Sequence, residues 1–168
     1  LTANLGYLIS EVPRLQRPDL AGGALLDVGV YPINFARMIF GDRIVKISSA
    51  CTYTDSGVDE QDSITFLYED GKVAQLAASM LGLSDRRGTI YGTKGFMVIE
   101  NINNFESLTI YDTNYHEVKR IDRPAQITGY EYEVEACMRA LSEGRLECGE
   151  MPHEAVSYTH LTLPTILR

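Results

Sequence analysis

From residue 43 to residue 121 the chain alternates short β-rich runs with turn signals, and this pattern constrains its fold more than any other feature. Residues 44–53, 63–68, 72–80, 87–91, 96–100, 107–111 and 116–121 are the predicted strands. The Glu-Asp-Gly stretch at 69–71 and the GTKG stretch at 92–95 are hairpin signals. Consecutive hairpins place neighbouring strands antiparallel. Residues 1–9, LTANLGYLI, read as a further strand, and because no Met precedes them the sequence is expected to begin in mid-protein.

Two helical patterns flank this region. After a Pro- and Arg-rich loop at 11–20, Gly22 and Gly23 introduce Leu26, Val30, Ile33, Ala36 and Phe40 at helical spacing, closed by Gly41. Pro32 lacks the donor for the preceding turn, which predicts a kink or a helix that restarts there. A second helix is predicted over 130–142, ending at Gly144, with Val134, Cys137, Met138 and Leu141 on its apolar side. The expected fold is α+β: a large open, mainly antiparallel β-sheet with helices packed on one face.

Composition excludes several functions. The net charge of -8 opposes the phosphate backbone, so no nucleic-acid partner is expected, and no apolar run approaches membrane-spanning length. Cys51, Cys137 and Cys148 lack CxxC spacing and suit reduced thiols in the cytoplasm. His116 and His153 have no ligand-spaced companions, so no metal is expected. The acidic runs at 59–62 and 131–135 read as solvated faces.

Chemistry concentrates in GGALLDVGVYPINFAR at 22–37. Asp27 and Tyr31 stand four apart and would share a face of a helix, while Gly22, Gly23 and Gly29 would let another group approach the backbone closely. A carboxylate beside a phenol can orient it toward a substrate hydroxyl. Spacing alone favours the plainer reading, a core-edge tyrosine with a local capping aspartate.

The same segment resembles the motif GG-x-L-x-D-x-G-x-(H/Y) of the glucose–fructose oxidoreductase, inositol dehydrogenase and MocA family, in its dihydrodiol dehydrogenase-like branch. YGTKGFMVIE at 91–100, GYEYEVEACMRAL at 129–141 and EGRLECGEMPHE at 143–154 extend the likeness to about residue 154. The resemblance implies a C-terminal substrate-binding and oligomerisation domain over 1–155, from an oxidoreductase acting on the CH–OH group of a sugar, polyol or diol. It also implies a Rossmann domain that binds NAD or NADP and carries a catalytic lysine in a Glu-Lys-Pro motif. Neither that motif nor a GxGxxG fingerprint occurs in this sequence. The isolated chain is therefore expected to be inactive.

By the same resemblance Asp27 and Tyr31 are the catalytic pair, and Asn34 and Tyr130 are candidate substrate contacts. Arg14 belongs to a loop bordering the expected pocket, although a solvated arginine is the plainer reading. The family's pairing through the sheet implies a homodimer or larger oligomer, with Phe66, Leu67, Leu76 or Leu108 as candidate contacts. A non-catalytic relative using the same sheet for dimerisation or ligand sensing is the alternative. Residues 156–168 begin with VSYTHLTLPT, which resembles the translation of a sequencing-library adapter, and this tail is expected to be non-native.

Overall fold

The computed structural model describes residues 1–155, so the expected non-native tail lies outside the described residues. Strand β1 (Thr2–Gly6) leads through two short 3₁₀ turns, Pro13–Gln16 and Pro18–Leu20, to a π turn at Leu25–Gly29 that runs into helix α1 (Val30–Phe40). Seven strands follow: β2 (Ile44–Tyr53), β3 (Asp59–Tyr68), β4 (Val73–Ser79), β5 (Gly88–Gly92), β6 (Gly95–Glu100), β7 (Ser107–Tyr111) and β8 (Glu117–Asp122). Helix α2 (Tyr130–Ser142) follows β8. Among the described residues no helix is long and apolar enough to cross a membrane.

The strands form one sheet in the order β2-β3-β4-β1-β5-β6-β7-β8. Hairpin turns build two meanders, β2–β4 and β5–β8, and β1 joins them. It runs parallel to β4, where Ala3 pairs with Leu76, and antiparallel to β5, where Ala3 pairs with Gly88. The expected α+β architecture with a mainly antiparallel sheet is thus observed.

Helix α1 covers the centre of one face. Leu25, Ile33, Phe35 and Ala36 pack against Ala3, Ile64, Phe66 and Leu76. Glycines set the approach distance: a Cβ on Gly88 would lie 2.5 Å from the Phe35 ring, and one on Gly29 would lie 3.4 Å from the Ala78 methyl. The π turn widens the helix directly before α1, and Pro32 falls in the first turn of the regular helix, where its missing donor is tolerated.

Three expectations need correction. Phe66, Leu76 and Leu108 belong to the core beneath the helix, so they cannot form a sheet-to-sheet contact. Only Leu67 of that set points to the opposite face, which carries the row Ser48, Thr65, Gln75, Thr2, Thr89, Val98, Thr109 and Arg120. Alternation fixed which residues share a face but not which face the helix takes. In α2, Val134, Cys137, Met138 and Leu141 are exposed, and the residues buried are Ala136 and Ala140. Two alanines one turn apart allow close approach, whereas a stripe of larger apolar side chains does not itself supply a covering surface.

The third correction concerns residues 59–62, which are the first part of β3. Asp59 and Asp62 are each 4% exposed rather than solvated. Asp59 Oδ2 accepts the Leu25 backbone N–H at 2.5 Å and so caps the helix start. Gly23 (φ +105°) makes room, since a Cβ there would lie 2.2 Å from Asp59 Oδ1. Asp62 faces Asp59, and burial followed by that neighbouring carboxylate pushes its pKa up to about 8. At neutral pH Asp62 therefore keeps its proton beside Asp59.

This pair gives folding stability a pH dependence. The folded pKa of Asp62 lies above its unfolded value, so the native state holds a proton that unfolding releases. Its contribution is fully present below pH ~4 and is lost as pH rises to about 8, on the order of 1 kcal/mol per pH unit. Asp62→Asn keeps the shape and a donor without the titration. Urea denaturation at several pH values should show a flatter profile for Asp62→Asn and a variant more stable than wild type at pH 8. Parallel profiles would remove Asp62 as the source.

Candidate functional site

The π turn carries Asp27 and the first turn of α1 carries Tyr31. Asp27 forms an ion pair with Arg14, whose guanidinium reaches over from the first 3₁₀ turn. Gly22 permits this arrangement, because a Cβ there would lie 2.5 Å from the Leu15 carbonyl and 2.8 Å from those of Arg14 and Arg17. The close approach expected at Gly22 and Gly23 is therefore made by the chain itself. Among the described residues no hydrogen bond joins Asp27 to Tyr31, although Asp27 lies near enough to act on the phenol electrostatically.

Tyr31 instead borders a cavity of about 520 Å³. Three separate stretches complete it: Asn103, Asn104 and Phe105 from the β6–β7 loop, Pro124, Gln126, Thr128 and Gly129 ahead of α2, and Tyr130, Tyr132 and Glu133 from its first turn. Asn103 Nδ2 donates to the Tyr7 hydroxyl at 3.1 Å, tying the floor to the end of β1. Gln126 Nε2 donates to Asn104 Oδ1 at 2.9 Å, and Asn104 Nδ2 donates to the Thr128 carbonyl at 3.3 Å.

Glu131, expected on a solvated face, holds this wall in place. Its carboxylate accepts the backbone N–H groups of Ile127, Thr128 and Gly129, the last at 2.8 Å. Backbone hydrogen bonds hold its pKa down to about 2. The carboxylate thus closes the loop that seats Thr128, Gly129 and Tyr130 around the cavity.

The candidate residues are distributed unequally. Tyr31 and Tyr130 share the cavity. Asn34 is directed at its own helix, Nδ2 donating to the Val30 carbonyl at 2.9 Å. Arg14 is held by Asp27. Asn103, Asn104, Gln126 and Glu133 were not singled out from the sequence. The run NINN at 101–104 is an amide-rich interruption between two strands and was the available signal.

The cavity lining contains hydroxyl, amide and aromatic groups, one carboxylate and no cation. Tyr31 is 42% exposed, and burial, then Tyr130, Asp27, Glu133 and Tyr7, raise its pKa above the ordinary phenol value. It is therefore a neutral hydrogen-bond donor at physiological pH. The described residues do not fit the pyrophosphate of a dinucleotide. The start of the helix already carries the Asp59 carboxylate, and Gly92 and Gly95 pair across a hairpin rather than cradling an anion. Among the described residues no group of three or more His, Cys, Asp or Glu could hold a metal ion.

Comparison with known proteins agrees with this architecture. A family model described as GFO/IDH/MocA C-terminal domain matches residues 6–98. The trans-1,2-dihydrobenzene-1,2-diol dehydrogenase of Xenopus tropicalis is 31% identical over 156 residues, covering 88% of this chain and 46% of that protein. Its counterpart from Danio rerio is 27% identical over 161 residues, covering 90% and 47%. Among solved structures, aldose-aldose oxidoreductase from Caulobacter crescentus complexed with glycerol superimposes with a TM-score of 0.81 at 18% identity, covering 99% of this chain and 51% of that one. A 3-ketoreductase from Actinomadura kijaniata in complex with NADP and TDP-benzene gives 0.79 at 20% identity, covering 94% and 49%. These structural likenesses concern the fold. The chain spans about half the length of the curated relatives it matches.

The electrostatics of Tyr31 can be measured in this chain. Ultraviolet titration of wild type minus Tyr31→Phe should give one phenol ionising above the ordinary value of about 10. Asp27→Asn should lower that midpoint by removing a negative neighbour. An unmoved midpoint would detach Asp27 from the site.

Proposed function

The chain belongs to the GFO/IDH/MocA family and carries its C-terminal domain; from that premise we propose that it is the substrate half of an NAD- or NADP-dependent oxidoreductase acting on the CH–OH group of a diol, sugar or polyol. The observation that carries this reading is the cavity beside Tyr31. Its amides and hydroxyls match the alternating donors and acceptors of a polyhydroxy compound, and Phe105, Tyr130 and Tyr132 offer ring faces to its carbon skeleton. The absence of a cation from the lining argues for an uncharged substrate over a carboxylate or phosphate.

In this reading Tyr31 is the proton donor and acceptor at the substrate oxygen. As a neutral phenol it holds the proton at Oη and gives it to a carbonyl oxygen being reduced. Taking a proton from an alcohol requires a nearby cation, which the cavity lining lacks. Asp27 acts through its ion pair with Arg14, fixing the first 3₁₀ turn against the helix start. The dinucleotide, which supplies hydride chemistry, is assigned to a separate nucleotide-binding domain, consistent with relatives about twice as long. A cytoplasmic location accords with the free thiols.

The reading also assigns assembly to the uncovered sheet face. Its central row of Ser48, Thr65, Gln75, Thr2 and Thr89 is small and flat enough for a second sheet to lie on it.

Three measurements test these assignments. In the full-length protein Tyr31→Phe should lower turnover by about 10²-fold with little change in cofactor affinity. This chain alone should show no micromolar NAD(P)H binding in calorimetry. An unchanged rate in Tyr31→Phe removes the catalytic role, and tight dinucleotide binding by the chain overturns the division of labour. For assembly, light scattering should give at least a dimer, and Gln75→Arg, placed on the exposed face, should weaken it. A strictly monomeric protein rules the interface out.

A further inference from the structure

Cys137 lies on the exposed side of α2, and Cys148 lies in the segment that returns past it. Their Sγ atoms are 3.8 Å apart, with Cys148 placed as the donor. Both are free thiols. The approach is built on both sides. The Arg145 backbone N–H donates to the Ala140 carbonyl at 2.8 Å, and Arg139 of α2 forms an ion pair with Glu150. Farther along, the His153 N–H donates to Glu147 Oε2 at 2.6 Å. These bonds hold residues 145–150 along the helix with Cys148 over Cys137.

We propose that Cys137 and Cys148 form a reversible thiol–disulfide pair, oxidised by exchange with a low-molecular-weight disulfide of the glutathione class. A disulfide requires a sulfur separation of about 2.05 Å, so rotation of the side chains must close a further ~2 Å. The hydrogen bond with Cys137, together with burial, holds the Cys148 thiol above its ordinary pKa, leaving Cys137 as the attacking sulfur. The Cys137 thiolate attacks one sulfur of glutathione disulfide, forming a mixed disulfide and expelling one glutathione thiolate. Cys148 then loses its proton and attacks the Cys137 sulfur, forming the bond between the two side chains and expelling the second glutathione. Two electrons pass from the protein thiols to the glutathione disulfide, and the two thiol protons end on the two released glutathiones.

The bond would fasten the returning segment to α2. The buried residues of that helix are Ala136 and Ala140, and its first turn presents Tyr130 and Glu133 to the cavity. Cys51, on edge strand β2, belongs to a different part of the sheet and serves as the internal control.

The test incubates the full 168-residue chain with glutathione disulfide, alkylates it and maps its peptides by mass spectrometry. The expected product lacks two hydrogens across Cys137 and Cys148, retains an alkylated Cys51, and is cut more slowly by trypsin after Arg145. Reduced glutathione in excess, added before alkylation, should restore both thiols and the faster cleavage. Cys148→Ser should trap a glutathione adduct on Cys137 with no internal bond. Persistence of both thiols in glutathione disulfide alone, separate adducts on each cysteine, or bonds only between two copies would each overturn the proposal.

Discussion

Two carboxylates buried side by side repel each other unless one keeps its proton, and Asp59 and Asp62 are in that position beneath the helix that carries the site. Asp59 takes the Leu25 N–H, a donor that a helix start leaves unsatisfied, and Asp62 keeps its proton beside it. Everything above depends on this contact. It fixes the height of the π turn over β3, and through that turn the positions of Asp27 and Tyr31. It also places negative charge where a helix start would otherwise favour an anion, so the chain's best phosphate position is already filled from within.

Much of the fold was legible because turn chemistry is local. Strands 44–53 and 107–111 and helix 130–142 match their predicted bounds, each being set by neighbouring turn residues and by its own periodicity. What was not legible depends on distant chain. Residues 1–9 read as a strand, yet their central place between β4 and β5 rests on pairings some seventy and more residues away. The start of β3 was missed because Asp59 and Asp62 argue for solvent by composition. Only the unsatisfied donor at Leu25 and the space left by Gly23 explain their burial. Likewise the periodicity of α2 identified an apolar stripe but could not say that Ala136 and Ala140 are the residues that make contact.

The site shows the same division. Tyr31 stood out through its motif, and Tyr130 through the same resemblance; both border the cavity. Asn34 matched its motif position equally well, but a side-chain amide within a helix can satisfy itself on the carbonyl four residues back, as it does here. Asn103, Asn104 and Gln126 come from loops far apart in sequence, and no spacing rule relates them to one another or to Tyr31. The bond between Gln126 and Asn104 exists only once β6, β7 and the approach to α2 are in place.

Charge around Tyr31 determines how the site can work. Every named neighbour raises the phenol's pKa: Tyr130, Asp27, Glu133 and Tyr7, in addition to burial itself. Arg14 is paired with Asp27 and is not among the groups that act on the phenol. A phenol in this setting carries its proton at neutral pH, so it can donate to an oxygen that becomes basic but cannot itself serve as a base. The chain's own residues therefore suit Tyr31 to protonating an oxygen, and the opposite transfer needs positive charge brought to the open side of the cavity. The α2 wall cannot provide it, because it contributes Glu133, and the β6–β7 loop contributes neutral amides. On the proposed reading that positive charge comes from the separate nucleotide-binding domain, on the side where Tyr31 remains partly exposed.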